Sequence, residues 1–205
     1  MKIKYIITIA FFIISFQNSL INAEEIFFDS ENIQIQNNGN MIYSEKGIAK
    51  IPGENITIEG DNSFYNKKIS ELVVIGNIKF FDNLNNIYIE SDKAIYNQLD
   101  NTLFSSGKTF VKVEDEYEVH SEDLLYDRNV MKISTISKSS VFDNKDNIFI
   151  FNDGFEFDTV KQLISSKNTN VIDNNKNSYF FDVSKINLET KEIVGKEITI
   201  NFINS

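Results

Sequence analysis

The sequence predicts an all-β protein, an antiparallel β-roll built from repeats of about 31 residues. Three observations predict it. Aromatic-polar pairs at Tyr65-Asn66, Tyr96-Asn97, Tyr126-Asp127 and Phe157-Asp158 follow one another at steps of 31, 30 and 31 residues, and one further step of 31 reaches Leu188-Glu189. Nine and seven residues before each anchor stands an alternating apolar pair: Ile56/Ile58, Ile87/Ile89, Tyr117/Val119, Ile148/Ile150 and Tyr179/Phe181. With one residue between them, both members of a pair point to the same face of a strand. Seven residues after the first four anchors come Leu72, Leu103, Ile133 and Ile164, and no segment beyond residue 23 has helical periodicity. A fixed period of this size marks stacked supersecondary units, none of which buries its apolar face alone.

In chain order, Met1-Lys2-Ile3-Lys4 precedes an apolar run over 5–16, a polar stretch over 17–22 and Ala23. These are the parts of a secretory signal over residues 1–23, leaving 24–205 as one domain with a sizeable core. The apolar run is short for a membrane span, which needs about 20 residues. Residues 26–30 and 32–36 read as short strands, and Asn37-Asn38-Gly39-Asn40 as a turn. Residues 41–44 and 47–51 alternate again before the turn at Pro52-Gly53. This portion reads as a divergent first unit that caps the stack.

From Asn55 the units are regular. The first holds 56–59, a turn at Gly60-Asp61-Asn62, 63–66, a lysine turn, 71–75, a break at Gly76-Asn77, then 78–81 and a return through 82–86. Each unit thus reads as about four short strands. Gly76 and Gly107 both stand eleven residues after their anchors, and Ser137 and Asn168 hold that position later. The polar members of the alternation are often charged, as at Glu71, Glu90, Lys112 and Glu118, so one sheet face is wet. The other face must meet a second layer of the same kind, giving a flattened roll with an apolar interior. Imperfect closure of such a roll leaves an apolar seam.

Removing Lys2 and Lys4 with the signal leaves 18 basic against 30 acidic residues, a net charge of −12. Such a surface repels nucleic acid, so no nucleic-acid partner is expected. With no cysteine and the single His120, no metal site and no thiolate chemistry are expected. One Pro and no Trp argue against a proline-recognition or carbohydrate-stacking surface. The densest polar cluster is Glu114-Asp115-Glu116 with Glu118, His120, Glu122 and Asp123. Alternation sends Glu116, Glu118 and His120 to the face opposite Tyr117 and Val119, which reads as a solvated strand face. The stretches 143–147 and 173–177 resemble calcium loops in composition but lack the central glycine and terminal glutamate. No nucleophile elbow, phosphate loop or dinucleotide fingerprint is present, so neither catalytic residues nor cofactors are expected, and the chain does not read as an enzyme.

The segments Leu72-Val73-Val74-Ile75-Gly76-Asn77-Ile78-Lys79-Phe80 and Ile87-Tyr88-Ile89-Glu90-Ser91-Asp92-Lys93-Ala94-Ile95-Tyr96-Asn97 resemble the repeat of the OstA-like family. In that family a G-N-V step, an alternating strand and a D-x-A-x-Y step recur. It comprises the periplasmic bridge protein of lipopolysaccharide transport and the amino-terminal periplasmic domain of the outer-membrane lipopolysaccharide-assembly protein. The resemblance implies a twisted jellyroll whose hydrophobic groove shelters lipid A acyl chains, in the periplasm and associated with the outer membrane. It also implies partners of the same jellyroll kind, joined by pairing of edge strands. The groove candidates are Ile56, Ile58, Ile87, Ile89, Tyr117, Val119, Ile148 and Ile150. At about 0.8 kcal/mol per buried methylene, a few sheltered carbons suffice for binding without an ionic clamp. A secreted or periplasmic structural or adhesive β-solenoid is the alternative. A carbohydrate-active β-helix would need aspartates aligned across units, and Asp127 and Asp158 are instead matched by Asn66 and Asn97.

Overall fold

A computed structural model describes residues 25–113 and 116–202. The expected signal segment, 1–23, lies outside the described residues, as do Glu114 and Asp115. Fifteen strands form one antiparallel sheet: β1 (Phe27–Gln36), β2 (Met41–Ile51), β3 (Ile56–Asn66), β4 (Glu71–Asp82), β5 (Ile87–Asn97), β6 (Thr102–Val113) and β7 (Tyr117–Asp127) follow as a meander. Then come β8 (Lys132–Thr135), β9 (Ser139–Asp143), β10 (Ile148–Phe151), β11 (Phe155–Asp158), β12 (Leu163–Ile172), β13 (Ser178–Asn187), β14 (Glu192–Lys196) and β15 (Thr199–Asn201). β8 and β9 both pair with β7, β10 and β11 with β12, and β14 and β15 with β13, so each of these pairs of short strands replaces one long strand. Among the described residues the helical turns are the single 3-10 turns Asn37–Gly39 and Pro52–Glu54.

The expected four short strands per unit are, in the first units, two long strands bent at the middle. Register shifts fall between Glu59 and Asn62, Ile75 and Ile78, Glu90 and Lys93, and Ser106 and Thr109. A bulge adds a residue and turns the strand sharply without ending it. Gly76 and Gly107 sit at these bends with φ of +84° and +86°, and a Cβ on either would lie 2.4 Å from Oδ2 of Asp61 or Asp92. Those two carboxylates hold the crease: Asn77 Nδ2 donates to Asp61 at 2.8 Å, and the Lys108 backbone N–H to Asp92 at 2.9 Å.

The crease folds the sheet onto itself. Leu72 and Phe80 lie toward opposite ends of β4, and Tyr126 aligns across the ladder with Leu103, Tyr96 and Leu72. Yet the Phe80 ring centroid is 6.5 Å from that of Tyr96 and 6.3 Å from that of Tyr126. The anchors Tyr65, Tyr96, Tyr126, Phe157 and Leu188 are all buried between the two layers, with Leu72, Leu103, Ile133 and Ile164 beside them.

Two rows of turns form the lips where the folded sheet meets itself. On the first lip each turn hydrogen-bonds the next: Lys67 N–H to Asn40 O, Gln98 to Ser70, Arg128 to Asn101, Thr159 to Met131 and Leu188 to Gln162, all at 2.8–3.1 Å. The second lip begins in the same way, with Asn83 N–H on Asn55 O at 3.1 Å. Further along, its turns close on themselves. Asp143 accepts from the N–H groups of Lys145 and Asn147, and Asp173 accepts from the N–H of Asn177. The Asp82 turn is capped in the same way, its carboxylate accepting from the N–H groups of Leu84 and Asn85, and it bonds its neighbour as well.

The fourth unit departs from the sequence reading. Ile148 and Ile150 were expected to face inward, but Phe149 and Phe151 take the interior and the two isoleucines face out, half-buried. In β3 and β5 seven positions separate the inward Ile58 or Ile89 from the anchor, whereas in the fourth unit eight separate Phe149 from Phe157. The extra residue has moved to the outgoing strand, where Gly154 takes φ +77°. One added residue flips every side chain before it to the other face.

Candidate functional site

The closed part of the seam is held by Arg128, the one arginine of the chain. It extends from the first lip and meets Glu54 and Asp82 on the second. Its Nε donates to Asp82 Oδ2 at 2.7 Å, one terminal nitrogen to Glu54 Oε2 and Asn101 Oδ1 at 2.8 Å each, and the other to the Glu54 carbonyl at 3.0 Å. Tyr126 donates to Asp82 Oδ2 at 2.9 Å and Tyr96 donates to Glu54, so both anchors join the same network. Asp82 is 1% exposed, and burial pushes its carboxyl pKa up. The hydrogen bonds from Arg128, Asn85 and Tyr126 outweigh that and hold it below the ordinary value. Burial, then the adjoining carboxylates, push the hydroxyl pKa of both Tyr96 and Tyr126 up. The fork of Arg128 serves four acceptors on three residues at once, one more than the three donors of a lysine ammonium can serve.

Toward the C-terminus the seam opens into a cleft of about 450 Å³. Phe149, Val171, Phe181 and Ile186 line it from the sheet interior, and Ile193, Ile198 and Ile200 from the terminal strands. Among the described residues β14 and β15 pair only with β13, and Ile198 and Ile200 remain 52% and 46% exposed. The cleft begins at a second tie between the lips, where the Tyr117 hydroxyl donates to the Leu188 carbonyl at 3.3 Å. Lys191 Nζ donates to the same hydroxyl, lies 3.7 Å from Glu116, and stands 5.0 Å over the Tyr117 ring. The bond to Tyr117 raises the Lys191 pKa, burial opposes it by less, and the charges of Tyr117, Glu116 and Asp143 add smaller increments to the rise. Asp143 and Asp173 stand at the rim, their oxygens taken up by capping their own turns. Apolar walls with charges only at the rim suit an alkyl chain whose polar end stays in water.

The residues singled out from sequence fall into three places. Ile56, Ile58, Ile87 and Ile89 are at most 2% exposed and lie in the closed interior. Tyr117 stands at the mouth of the cleft, with Val119 buried behind it. Ile148 and Ile150 lie on the outer face. There they extend a row of rings in which His120 sits edge-on between Phe110 and Phe142, 5.3 Å from each. Among the described residues no three His, Cys, Asp or Glu side chains converge on a metal position.

Sequence reasoning missed the Arg128 network and the cleft walls. A single arginine among 20 basic residues was the available signal for the first. Val171, Ile186 and Ile193 carried no signal of their own, because alternation alone does not say where two lips part.

LptH from Pseudomonas aeruginosa, the LptA-homologous periplasmic component of the conserved lipopolysaccharide transport device, is similar to this chain in structure. The match covers 71% of this chain and 84% of that one, at 9% identity and a TM-score of 0.28. No protein-family model and no curated protein matches the chain.

Proposed function

We propose that the chain is a non-enzymatic lipid carrier of lipopolysaccharide transport and assembly, working in the periplasm beside the outer membrane and sheltering acyl chains in its C-terminal cleft. The observation that carries this reading is the cleft itself: apolar walls from Phe149, Val171, Phe181 and Ile186, opening at a seam that is otherwise sealed. The OstA-like repeat motifs at 72–80 and 87–97 supply the class of lipid. Tyr117 is the one sequence-selected groove residue at the cleft, and Ile56, Ile58, Ile87 and Ile89 belong to the closed core of the first units. The net negative charge leaves apolar burial as the attraction, since saccharide phosphates would be repelled. Partners of the same kind would add to the edge of β1, which among the described residues pairs only with β2 and exposes Ile33 and Ile35.

Photo-crosslinking residues placed singly at Phe149 and Phe181 are expected to capture lipopolysaccharide in cells, whereas the same probes at Glu90 and Glu118, on the outer face, are not. Equal labelling of both faces would sink the reading.

A further inference from the structure

The cleft has two unlike ends. Its floor follows the ladder from β7 through β9, β10, β12 and β13 to β15, five strand spacings of about 4.8 Å, or about 24 Å in all. Along it Phe149 pairs with Val171, Val171 with Tyr179 and Tyr179 with Ile200. At the C-terminal end Ile198 and Ile200 are half exposed, so the cleft runs out into solvent. At the other end stands Tyr117, which among the described residues is the one lining residue from β1–β7. We propose that the Tyr117 ring is the end wall of the cleft and so sets the length of alkyl chain that the protein accepts. The methyl end lies against the ring, and the polar end leaves past Ile198 and Ile200. This inference rests on the acyl-binding reading above.

Three observations carry it. Tyr117 is 5% exposed although it borders an open cleft, and its ladder partner Val113 and same-face neighbour Val119 are each 3% exposed, so what lies behind the ring is closed core. The ring is also held in place. Its hydroxyl donates to the Leu188 carbonyl at 3.3 Å and accepts from Lys191, and both residues belong to the turn between β13 and β14 on the opposite lip. That turn is itself fixed, because the Leu188 N–H bonds the Gln162 carbonyl at 2.8 Å. A ring tied at its tip from the far lip cannot swing aside without breaking both bonds. With the hydroxyl so engaged, the ring presents carbon to the cleft, a surface that an alkyl end meets without stranding a polar group. Removing the ring would lengthen the cleft by the ring's own volume and no more, because Val113 and Val119 close the space beyond it.

Saturated fatty acids from octanoic to docosanoic acid are the probe, titrated calorimetrically into the parent chain and three variants. In the parent, affinity is expected to rise with each carbon and then level off at one length. In Tyr117→Ala that length is expected to move up by about two to four carbons, the reach of the ring removed. An acid two carbons past the parent's limit should then bind the variant roughly fifteenfold tighter than it binds the parent. Tyr117→Leu, which keeps more of the interior filled should the alanine variant not fold, is expected to move the limit by about one or two carbons. Tyr117→Phe returns the ring without its bonds and is expected to bring the limit back to the parent's length, which a change in stability alone would not do. A limit that stays in place in both Tyr117→Ala and Tyr117→Leu overturns the assignment and leaves the acyl reading standing. Binding with the carboxylate inward at Lys191 and the tail outward would give that outcome. A limit that moves as far in Tyr117→Phe as in Tyr117→Ala overturns the ring as the wall. If no fatty acid binds the parent, the acyl reading fails and this inference with it.

Discussion

Arg128 Nε lies 2.7 Å from Asp82 Oδ2, although the two residues are 46 positions apart and belong to opposite lips of the folded sheet. Backbone pairing cannot make this contact, since β7 and the end of β4 are separated by two strands in the ladder. The ion pair therefore reports closure of the roll and not formation of the sheet. A buried pair of this kind adds little net stability over an apolar filling, but breaking it leaves a charge stranded. Arg128→Ala is accordingly expected to cost about 3–5 kcal/mol in urea unfolding. Arg128→Lys is expected to recover less than half of that, because one ammonium cannot reach Asp82, Glu54 and Asn101 together. A lysine variant as stable as the parent would show that charge, not the fork, closes the seam.

The same cluster sets how stability depends on pH. Asp82 has a folded pKa below its ordinary 3.8, so its contribution is present above that value and is lost as pH falls through the lower folded one. Tyr96 and Tyr126 have folded values above their ordinary 10.0, so theirs is fully present below pH 10.0 and is lost as pH rises beyond it. Stability should thus decline at both extremes. Asp82→Asn is expected to be less stable near neutrality but to lose up to about 1.4 kcal/mol per pH unit of the acid slope, with the alkaline limb kept at Tyr96 and reduced at Tyr126, which loses the Asp82 carboxylate. Urea midpoints taken from pH 2 to 11 would measure both limbs. An unchanged acid slope would mean that Asp82 is not the group responsible.

The fold class and the repeat were legible because they rest on period, and period survives substitution. Tyr65, Tyr96, Tyr126, Phe157 and Leu188 all came out of the sequence as one buried column. The fourth unit was not legible in the same way. Counting back from Phe157 assumes that the crease always consumes the same number of residues, and Gly154 shows that the extra residue can change strands. The cleft was hidden for a different reason. Whether the lips touch depends on bridges between residues far apart in the chain, and the asparagine-rich turns at 83–86 and 144–147 look alike and cap themselves alike, although only the first begins at a carboxylate that Arg128 reaches.

The inverted parity of the fourth unit is open to a direct test. Phe151→Ala removes a fully buried ring and is expected to cost about 3–5 kcal/mol. Ile150→Ala, on the outer face, is expected to cost no more than about 1 kcal/mol. The reverse order in chemical denaturation would restore the inward placement of the isoleucine pair and move the extra residue back to the returning strand.

The last prediction concerns the cleft. Saturated fatty acids of increasing length offer a series in which only buried alkyl surface changes. If the chain inserts end-on between Phe149, Val171 and Phe181, each added methylene should contribute about 0.8 kcal/mol, roughly a fourfold gain in affinity. Because an apolar contact is not screened, the series should keep its slope when salt is raised to 1 M, whereas an ionic contact with Lys145 or Lys191 at the rim would weaken. The gain should then stop. Once the methyl end reaches the closed core behind Tyr117, further carbons have only the rim or water to occupy, so affinity should level off at a definite chain length. Isothermal titration of the series would read both features. A slope that vanishes in salt points to headgroup binding, and a rise that never levels off points to an interior open past the Tyr117 tie.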